Sequence, residues 1–350
     1  MVNENSLTIS VVSSTTYPSR RATIYGSEVE NFLLAEELGK MGNNVYFYGA
    51  SGSEKSNYFK KFRYLHSMTS SVSFDDEYHV VQYYSDELAE SDIIIDLSAL
   101  LLAAEWAYFW GNKPFITVRN GTDLNAPRLF RYRNTVVLSS LVQKLYPNIP
   151  LKIIPYGIDE EFYSLNEHID DRYYYLYLAR PTPSKGIFQF LEIAKRMPDE
   201  QFKISFSTPA EEHRFYGNQI LELLPDNVTY VHGDEDFDGK IKVDLYKHAK
   251  ALIIPLQNYY KEAFGLNMCE AMSTGTAFIS NAYSVSTDQW AGSKAIFTDG
   301  DTNSYVKALR NYVIPDPISV REFVLKHYTK EIMAEHYMAL IRSVIAGERW

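Results

Sequence analysis

A chain of 350 residues carrying a formal net charge of −10 has room for two α/β domains, and the charge argues against broad, sequence-independent nucleic-acid binding while leaving room for a local basic groove. Its apolar fraction of 46% and charged fraction of 22% are ordinary for a globular protein, and 28 tyrosines supply amphipathic core-edge residues. The single cysteine, Cys269, excludes an internal disulfide and a cysteine metal cluster, so a reducing, cytoplasmic setting is expected, with Cys269 packed among apolar helix residues.

The first residues, Met1 to Asn5, lack a basic stretch followed by an apolar run, so no secretory signal is expected, and no apolar segment reaches membrane length. Peripheral contact with a membrane surface and the oligomeric state stay open. Residues 7–12 read as a strand, 28–41 as a helix with Phe32, Leu33, Leu34 and Leu38 on its apolar face, and 44–48 as a second strand after Gly42. This βαβ order favours a parallel sheet with ligands above the carboxyl ends of its strands. The loop before the helix holds Gly26 largely alone and is no dinucleotide fingerprint, which argues against an NAD-dependent enzyme.

Residues 91–97 and 113–118 read as two more buried strands around a helix at 100–110. Asp96 and the turn from Arg119 to Asp123 then fall at loop positions suited to an acceptor alcohol, with Arg119 suited to phosphate or an anionic acceptor. Arg128, Arg131 and Arg133 form either a local positive patch or a solvated face. A strand at 135–138 leads to a short helix through Tyr146, broken by Pro147 to Pro150, and a polar connector follows over 166–172.

Beyond it, a strand at 174–179 enters Arg180-Pro181-Thr182-Pro183-Ser184-Lys185-Gly186, followed by a helix at 187–197. Arg180 offers a rigid multidonor guanidinium and Lys185 a mobile point cation, a pair suited to a diphosphate; a solvated βα cap is the plain alternative. Strands are expected at 202–206, 228–233, 251–254 and 277–280. Helices are expected at 242–249, 304–312 and 320–345, with another helix-compatible stretch ending near Pro225. His232 has no Cys/His partners at metal-ligand spacing and reads as an ordinary loop residue.

The stretch from Lys261 to Ser280 carries the chemistry. With a helix beginning near Phe264, the backbone N–H groups of Phe264, Gly265 and Leu266 lack intrahelical acceptors and suit an anion, and Gly265 lets a ligand approach the backbone. Glu262 lies in the loop before the helix and Glu270 more than a turn inside it. A ligand with phosphates at its middle and hydroxyls at both ends fits this arrangement, which is the shape of a nucleotide sugar. An ordinary solvated helix start is the alternative, since its positive end favours acidic residues anyway.

The spacing of Glu262 and Glu270 around Phe264-Gly265-Leu266, with Arg180 and Lys185 ahead of them, resembles the Glu-x7-Glu signature of family 4 retaining glycosyltransferases. The resemblance implies an α/β protein of the GT-B fold, two Rossmann-like domains facing an inter-domain cleft. It implies an acceptor-side domain at 1–170, a donor-binding domain at 171–320, and a helical segment at 321–350 crossing back to the first. The implied reaction moves a hexose-like sugar, with retention, from a UDP- or GDP-linked donor to a hydroxyl of a carbohydrate, lipid-linked or protein acceptor, without metal or cofactor.

By the same resemblance Arg180 and Lys185 hold the diphosphate, Glu262 orients the sugar, the amides of Phe264 to Leu266 contact sugar or diphosphate, and Glu270 binds the ribose. Gly26 corresponds to a glycine loop beside the donor phosphate, of which Gly26-Ser27-Glu28 keeps a reduced outline, and His232 falls in the loop that encloses the base. Many members carry a histidine near the position of Arg119. Its absence leaves no general base assigned, and a donor phosphate oxygen assisting deprotonation on the front face is the implied route. A nucleotide-sugar epimerase and a catalytically weak nucleotide-sugar-binding protein stay open as competing readings.

Overall fold

Strands of a parallel sheet covered on both faces are apolar along their whole length rather than at alternate positions. Such runs form the central strands of two separate sheets in a computed structural model that describes residues 6–21, 26–65, 72–124, 133–208, 211–232 and 239–350. The chain divides into two units, one made of Met1–Gly157 with Lys330–Trp350 and the other of Ile158–Thr329.

The first unit runs β1 (Thr8–Val12), α1 (Gly26–Lys40), β2 (Asn44–Ala50), β3 (Phe59–Leu65), α2 (Phe74–Glu90), β4 (Ile93–Asp96), α3 (Leu102–Trp106), β5 (Phe115–Arg119), β6 (Thr135–Val137), α4 (Ser140–Leu145) and β7 (Lys152–Ile153). All pairs are parallel, in the order β3-β2-β1-β4-β5-β6-β7. The two-residue side-chain period sorts the core. Ile9, Val11, Val45, Phe47, Ile93 and Ile95 face one layer with Phe32 and Leu38 of α1, whereas Val12, Tyr46, Tyr48 and Ile94 face another with Val80, Leu88 and Ala104.

The second unit runs β8 (Tyr174–Leu178), α5 (Ile187–Lys195), β9 (Gln201–Phe206), α6 (Glu211–Glu222), β10 (Val228–His232), α7 (Gly239–Lys247), β11 (Ala249–Ile254), α8 (Leu266–Ser273), β12 (Phe278–Asn281), β13 (Ile296–Thr298), α9 (Thr302–Arg310) and α10 (Pro317–His327). Its parallel sheet is ordered β10-β9-β8-β11-β12-β13. The strand order reverses between β8 and β11, and a crevice opens outside the carboxyl ends of strands at such a reversal. The loops that follow these two strands carry the candidate site.

Several elements depart from the sequence reading. The first unit ends at Gly157, and the polar connector at 166–172 belongs to the second unit. The reason is Arg172, which is 3% exposed and donates to the carbonyls of Ala249, Asn166 and Thr274 and to the Thr276 hydroxyl. Residues 320–345 form two helices. Tyr328 leaves helical geometry at φ −138° and ψ 34°, because its ring packs against Phe264 and Trp290 and its hydroxyl donates to the Gln289 carbonyl at 2.6 Å. The chain then re-enters the first unit as α11 (Lys330–Ile345), whose Met333, Tyr337, Ile341 and Val344 complete the α1 layer of the core. β3 and α2 were not foreseen, although Ser73 caps α2 by accepting from the Asp76 N–H.

Candidate functional site

The turn after β8 is held from below and from the side. The buried phenol of Tyr177 donates to the Arg180 carbonyl at 3.0 Å, and the N–H groups of Thr182, Lys185 and Gly186 close successive tight turns onto Arg180, Thr182 and Pro183. Gly186 ends the turn at φ 78°, and a Cβ there would run into the Pro255 carbonyl oxygen at the end of β11. Only glycine permits that approach. The Gln257 N–H donates to the Ser184 carbonyl at 3.1 Å, and Asn267 Nδ2 of α8 donates to the Leu178 carbonyl at 2.8 Å, so the loops after β8 and β11 are stitched together.

This stitching brings Lys185 and Glu262 into a largely buried ion pair, with Lys185 also 4.6 Å from the centre of the Tyr260 ring. The Glu262 N–H donates to the Ser284 carbonyl at 2.8 Å, which fixes the backbone that carries the carboxylate. Burial alone lowers the affinity of Lys185 for its proton, but facing Glu262 and Tyr260 outweigh burial and the nearby Arg180 cation, holding its pKa above the ordinary lysine value. Arg180 is exposed, and its charge also reaches His213 on α6, whose pKa is lowered by burial and then by that cation. Arg180 is therefore the solvent-facing cation of the group and Lys185 its buried one.

The helix α8 begins at Leu266, two residues later than expected, with Gly265 as its cap at φ 87°. The first intrahelical bonds run from the N–H groups of Met268 and Cys269 to the Gly265 carbonyl. The amides of Gly265, Leu266 and Asn267 donate to no protein acceptor among the described residues and form the positive end of the helix. The Phe264 side chain is buried, stacked on Trp290 and edge-on to Tyr328, so it anchors the loop.

Glu270 stands apart from this group. It is 1% exposed, and its carboxylate accepts from the hydroxyls of Tyr163 at 2.6 Å and Tyr246 at 2.9 Å and pairs with Lys242 of α7. Both oxygens already accept from protein donors, two on Oε1 and one on Oε2, and the carboxylate is shut off from solvent. Gly26 opens α1 in the first unit. The structure thus gathers Arg180, Lys185, Glu262, Gly265 and Leu266, anchors Phe264 beneath them, and wires Glu270 to α7 and the 158–173 segment.

Asp96 departs from its expected role towards an acceptor. It is fully buried and accepts from the N–H groups of Ser98 and Ala104 and from the Ser98 hydroxyl, which ties down the loop after β4. Arg119 donates to the Ala99 carbonyl at 3.0 Å in the same loop. Arg128, Arg131, Gly233 and the His232 side chain lie outside the described residues, and Arg133 sits 4.8 Å from the Tyr108 ring centre. Among the described residues no group of three or more His, Cys, Asp or Glu side chains is placed to hold a metal, and no helix is long and apolar enough to cross a membrane. Sequence reasoning missed Tyr260, Asn267, Lys242, Tyr163 and Tyr246, since a tyrosine or lysine in such stretches looks the same whether it packs or binds.

Residues 158–317 match the family model described as glycosyl transferases group 1. No curated protein matches the sequence. Solved structures match over nearly the whole chain. Sucrose-phosphate synthase from Thermosynechococcus elongatus is 18% identical with a TM-score of 0.78 and covers 98% of this chain and 100% of its own. A glycosyltransferase from Rickettsia africae is 15% identical with a TM-score of 0.74 over 98% of this chain and 100% of its own. Anabaena HepE, solved with UDP and glucose, is 12% identical with a TM-score of 0.72 over 96% of this chain and 100% of its own. The chain has the GT-B fold, built from two Rossmann-like units. The family match, lying within the second unit where the Lys185–Glu262 pair sits, supports a transferase-like enzyme.

Proposed function

We propose that the protein is a retaining glycosyltransferase of the family 4 type, which moves a sugar from a nucleoside diphosphate donor to an acceptor hydroxyl. The observation that carries the reading is the junction of the loops after β8 and β11, where Lys185 pairs with Glu262, exposed Arg180 acts on Lys185, and the open amides of α8 follow Glu262 in the same loop. Breaking a glycosyl–phosphate bond places negative charge on the departing diphosphate and positive charge on the sugar. Fixed donors aimed at the diphosphate bind it more strongly as that charge grows, and this difference lowers the barrier. Arg180, Lys185 and the Gly265, Leu266 and Asn267 amides supply those donors, so the positive charge needed by the leaving group comes from the protein itself.

Glu262 pairs with Lys185 and is placed to exchange that partner for sugar hydroxyls as the diphosphate takes over the ammonium group. Glu270 serves the nucleotide side by setting the position of α7 through Lys242 and Tyr246, or by releasing one of them to a ribose hydroxyl. HepE with UDP-glucose supports a nucleotide-sugar donor. No side chain is assigned as base, and a donor phosphate oxygen takes the acceptor proton on the face from which the leaving group departs.

The test is a panel of UDP- and GDP-sugars incubated with the protein, with and without simple sugar and lipid-phosphate acceptors, and read by mass spectrometry of donor and product. Consumption of one donor with an α- or β-configured product matching the donor is expected. A donor isomer formed without transfer marks an epimerase, and donor binding without turnover across the panel marks a binding protein; either result overturns the proposal.

A further inference from the structure

A cavity of about 460 Å³ opens on the second unit beside the loops that carry the ion pair. Phe188 and Gln189 of α5, Gln257 and Tyr259 of the loop after β11, and Gly300 and Asp301 before α9 line it. Its size falls in the range of roughly 300–1,000 Å³ usual for small-molecule sites. None of its lining residues is cationic and one, Asp301, is anionic, which disfavours phosphates and nucleotides.

The polar wall is built in advance. Gln257 Nε2 donates to Gln189 Oε1 at 2.8 Å, and Gln189 Nε2 donates to the Gly300 carbonyl at 2.8 Å, so the two amides cannot rotate independently. Gly300 itself sits at φ 88°, where a Cβ would come within 2.6 Å of Asn281 Nδ2, and its carbonyl is fixed by that tight turn. Asp301 spends one carboxylate oxygen on the Ser304 N–H at 3.0 Å to cap α9 and keeps the other for a hydroxyl. Tyr259, which lines the groove beside these polar groups, is 72% exposed, so its ring is open to a ligand.

A ligand matching this lining is uncharged, carries several hydroxyls on its rim and has an apolar C–H face to lie on a ring. We propose that this groove is a binding site for a neutral saccharide, with Tyr259 as its stacking platform and Gln257 and Asp301 as its hydroxyl acceptors. The groove shares its walls with the turn bearing Lys185, through Pro183 and the Gln257 N–H bond to Ser184. On the transferase reading the bound saccharide is the acceptor or the growing product; binding itself does not depend on that reading.

The experiment measures binding of maltotriose, cellotriose and tri-N-acetylchitotriose to the full chain by saturation-transfer NMR and calorimetry, with UDP and GDP titrated separately. At least one trisaccharide is expected to bind. Y259A weakens it tenfold or more, Y259F retains it, and nucleotide affinity stays the same in both. Tyr259 is a surface residue, so both variants fold. Absence of binding by all three at up to about 10 mM, or affinity unchanged in Y259A, overturns the site. Tyr259-dependent binding without donor turnover would sink the transferase reading and leave the groove standing, while turnover without such binding does the reverse.

Discussion

Arg180 and Lys185 sit five positions apart and carry the same charge, but their surroundings set different consequences for losing them. R180A removes a solvent-facing donor that pairs with no carboxylate among the described residues, so stability should stay within about 0.5 kcal/mol of the parent. Activity should fall by about 10²-fold in kcat/KM for the donor, the usual loss when one transition-state donor is removed. K185A lowers activity too, and it leaves Glu262 largely buried without its cation, which costs about 1–3 kcal/mol, between the values for exposed and buried pairs. Adding E262Q to K185A should restore much of that stability and none of the activity. Urea denaturation beside donor-consumption kinetics separates the two effects. Because the folded pKa of Lys185 lies above its unfolded value, the stabilisation by the pair is complete at neutral pH and is lost only as pH rises past about 10.5. Arg180 and Lys185 stood out in the sequence through their spacing from Glu262 and Glu270, whereas their position in a strand-to-helix turn alone fits a solvated cap equally well. Glu270 was legible as a site candidate and illegible as a buried one, since Tyr163, Lys242 and Tyr246 are drawn to it only by the tertiary fold.

At the level of single elements, the turn after β8 depends on a glycine that makes room for a neighbouring strand end. G186A forces a Cβ against the Pro255 carbonyl and demands a left-handed conformation from alanine; a loss of more than about 2 kcal/mol is expected. G42A tests the conformational part alone, because Gly42 has φ 91° and a Cβ added there would meet no atom within 4 Å, and about 1 kcal/mol is expected. Near-equal melting losses in the two variants would show that the approach to Pro255 contributes nothing. In the first unit, α2 contributes Glu77, whose carboxylate accepts from the Leu100 N–H and the Ser98 hydroxyl. Burial, and then the charge of Asp96, push its pKa up to about 7. A carboxyl whose folded pKa is raised destabilises the fold as pH climbs from its unfolded value near 4.5 through 7. Relative to the parent, E77Q should therefore gain up to roughly 3 kcal/mol between pH 4.5 and 7.5, read from denaturation midpoints at the two pH values. The strands around this cluster were easy to read because each is short and dominated by β-branched and other apolar residues. β3 was not, since Phe59-Lys60-Lys61-Phe62-Arg63 lies at the sheet edge and mixes charge into every turn of the pattern.

Across the whole chain, continuity in sequence and membership of a core part company at one place. Nothing in His327-Tyr328-Thr329-Lys330 breaks a helix by composition; the break comes from Tyr328 being claimed by the Phe264 and Trp290 cluster of the second unit, while α11 is claimed by the core of the first. A local pattern cannot show a competition between two cores, which is why 320–345 reads as predominantly helical without a break. The competition has a measurable cost. α11 buries Met333, Ala334, Tyr337, Leu340, Ile341 and Val344 in the first unit, and at about 1.5–3 kcal/mol for each large side chain their removal is comparable to the 5–15 kcal/mol that holds a whole domain together. Truncation after Thr329 should therefore abolish the folded state of the first unit while leaving the second, whose sheet and core lie within Ile158–Thr329, able to unfold cooperatively and to bind nucleotide. Calorimetry and UDP or GDP titration of the truncated chain test this together. A first unit that keeps its own transition without α11 would mean that residues 6–157 are self-sufficient and that the returning helix is an accessory to the fold.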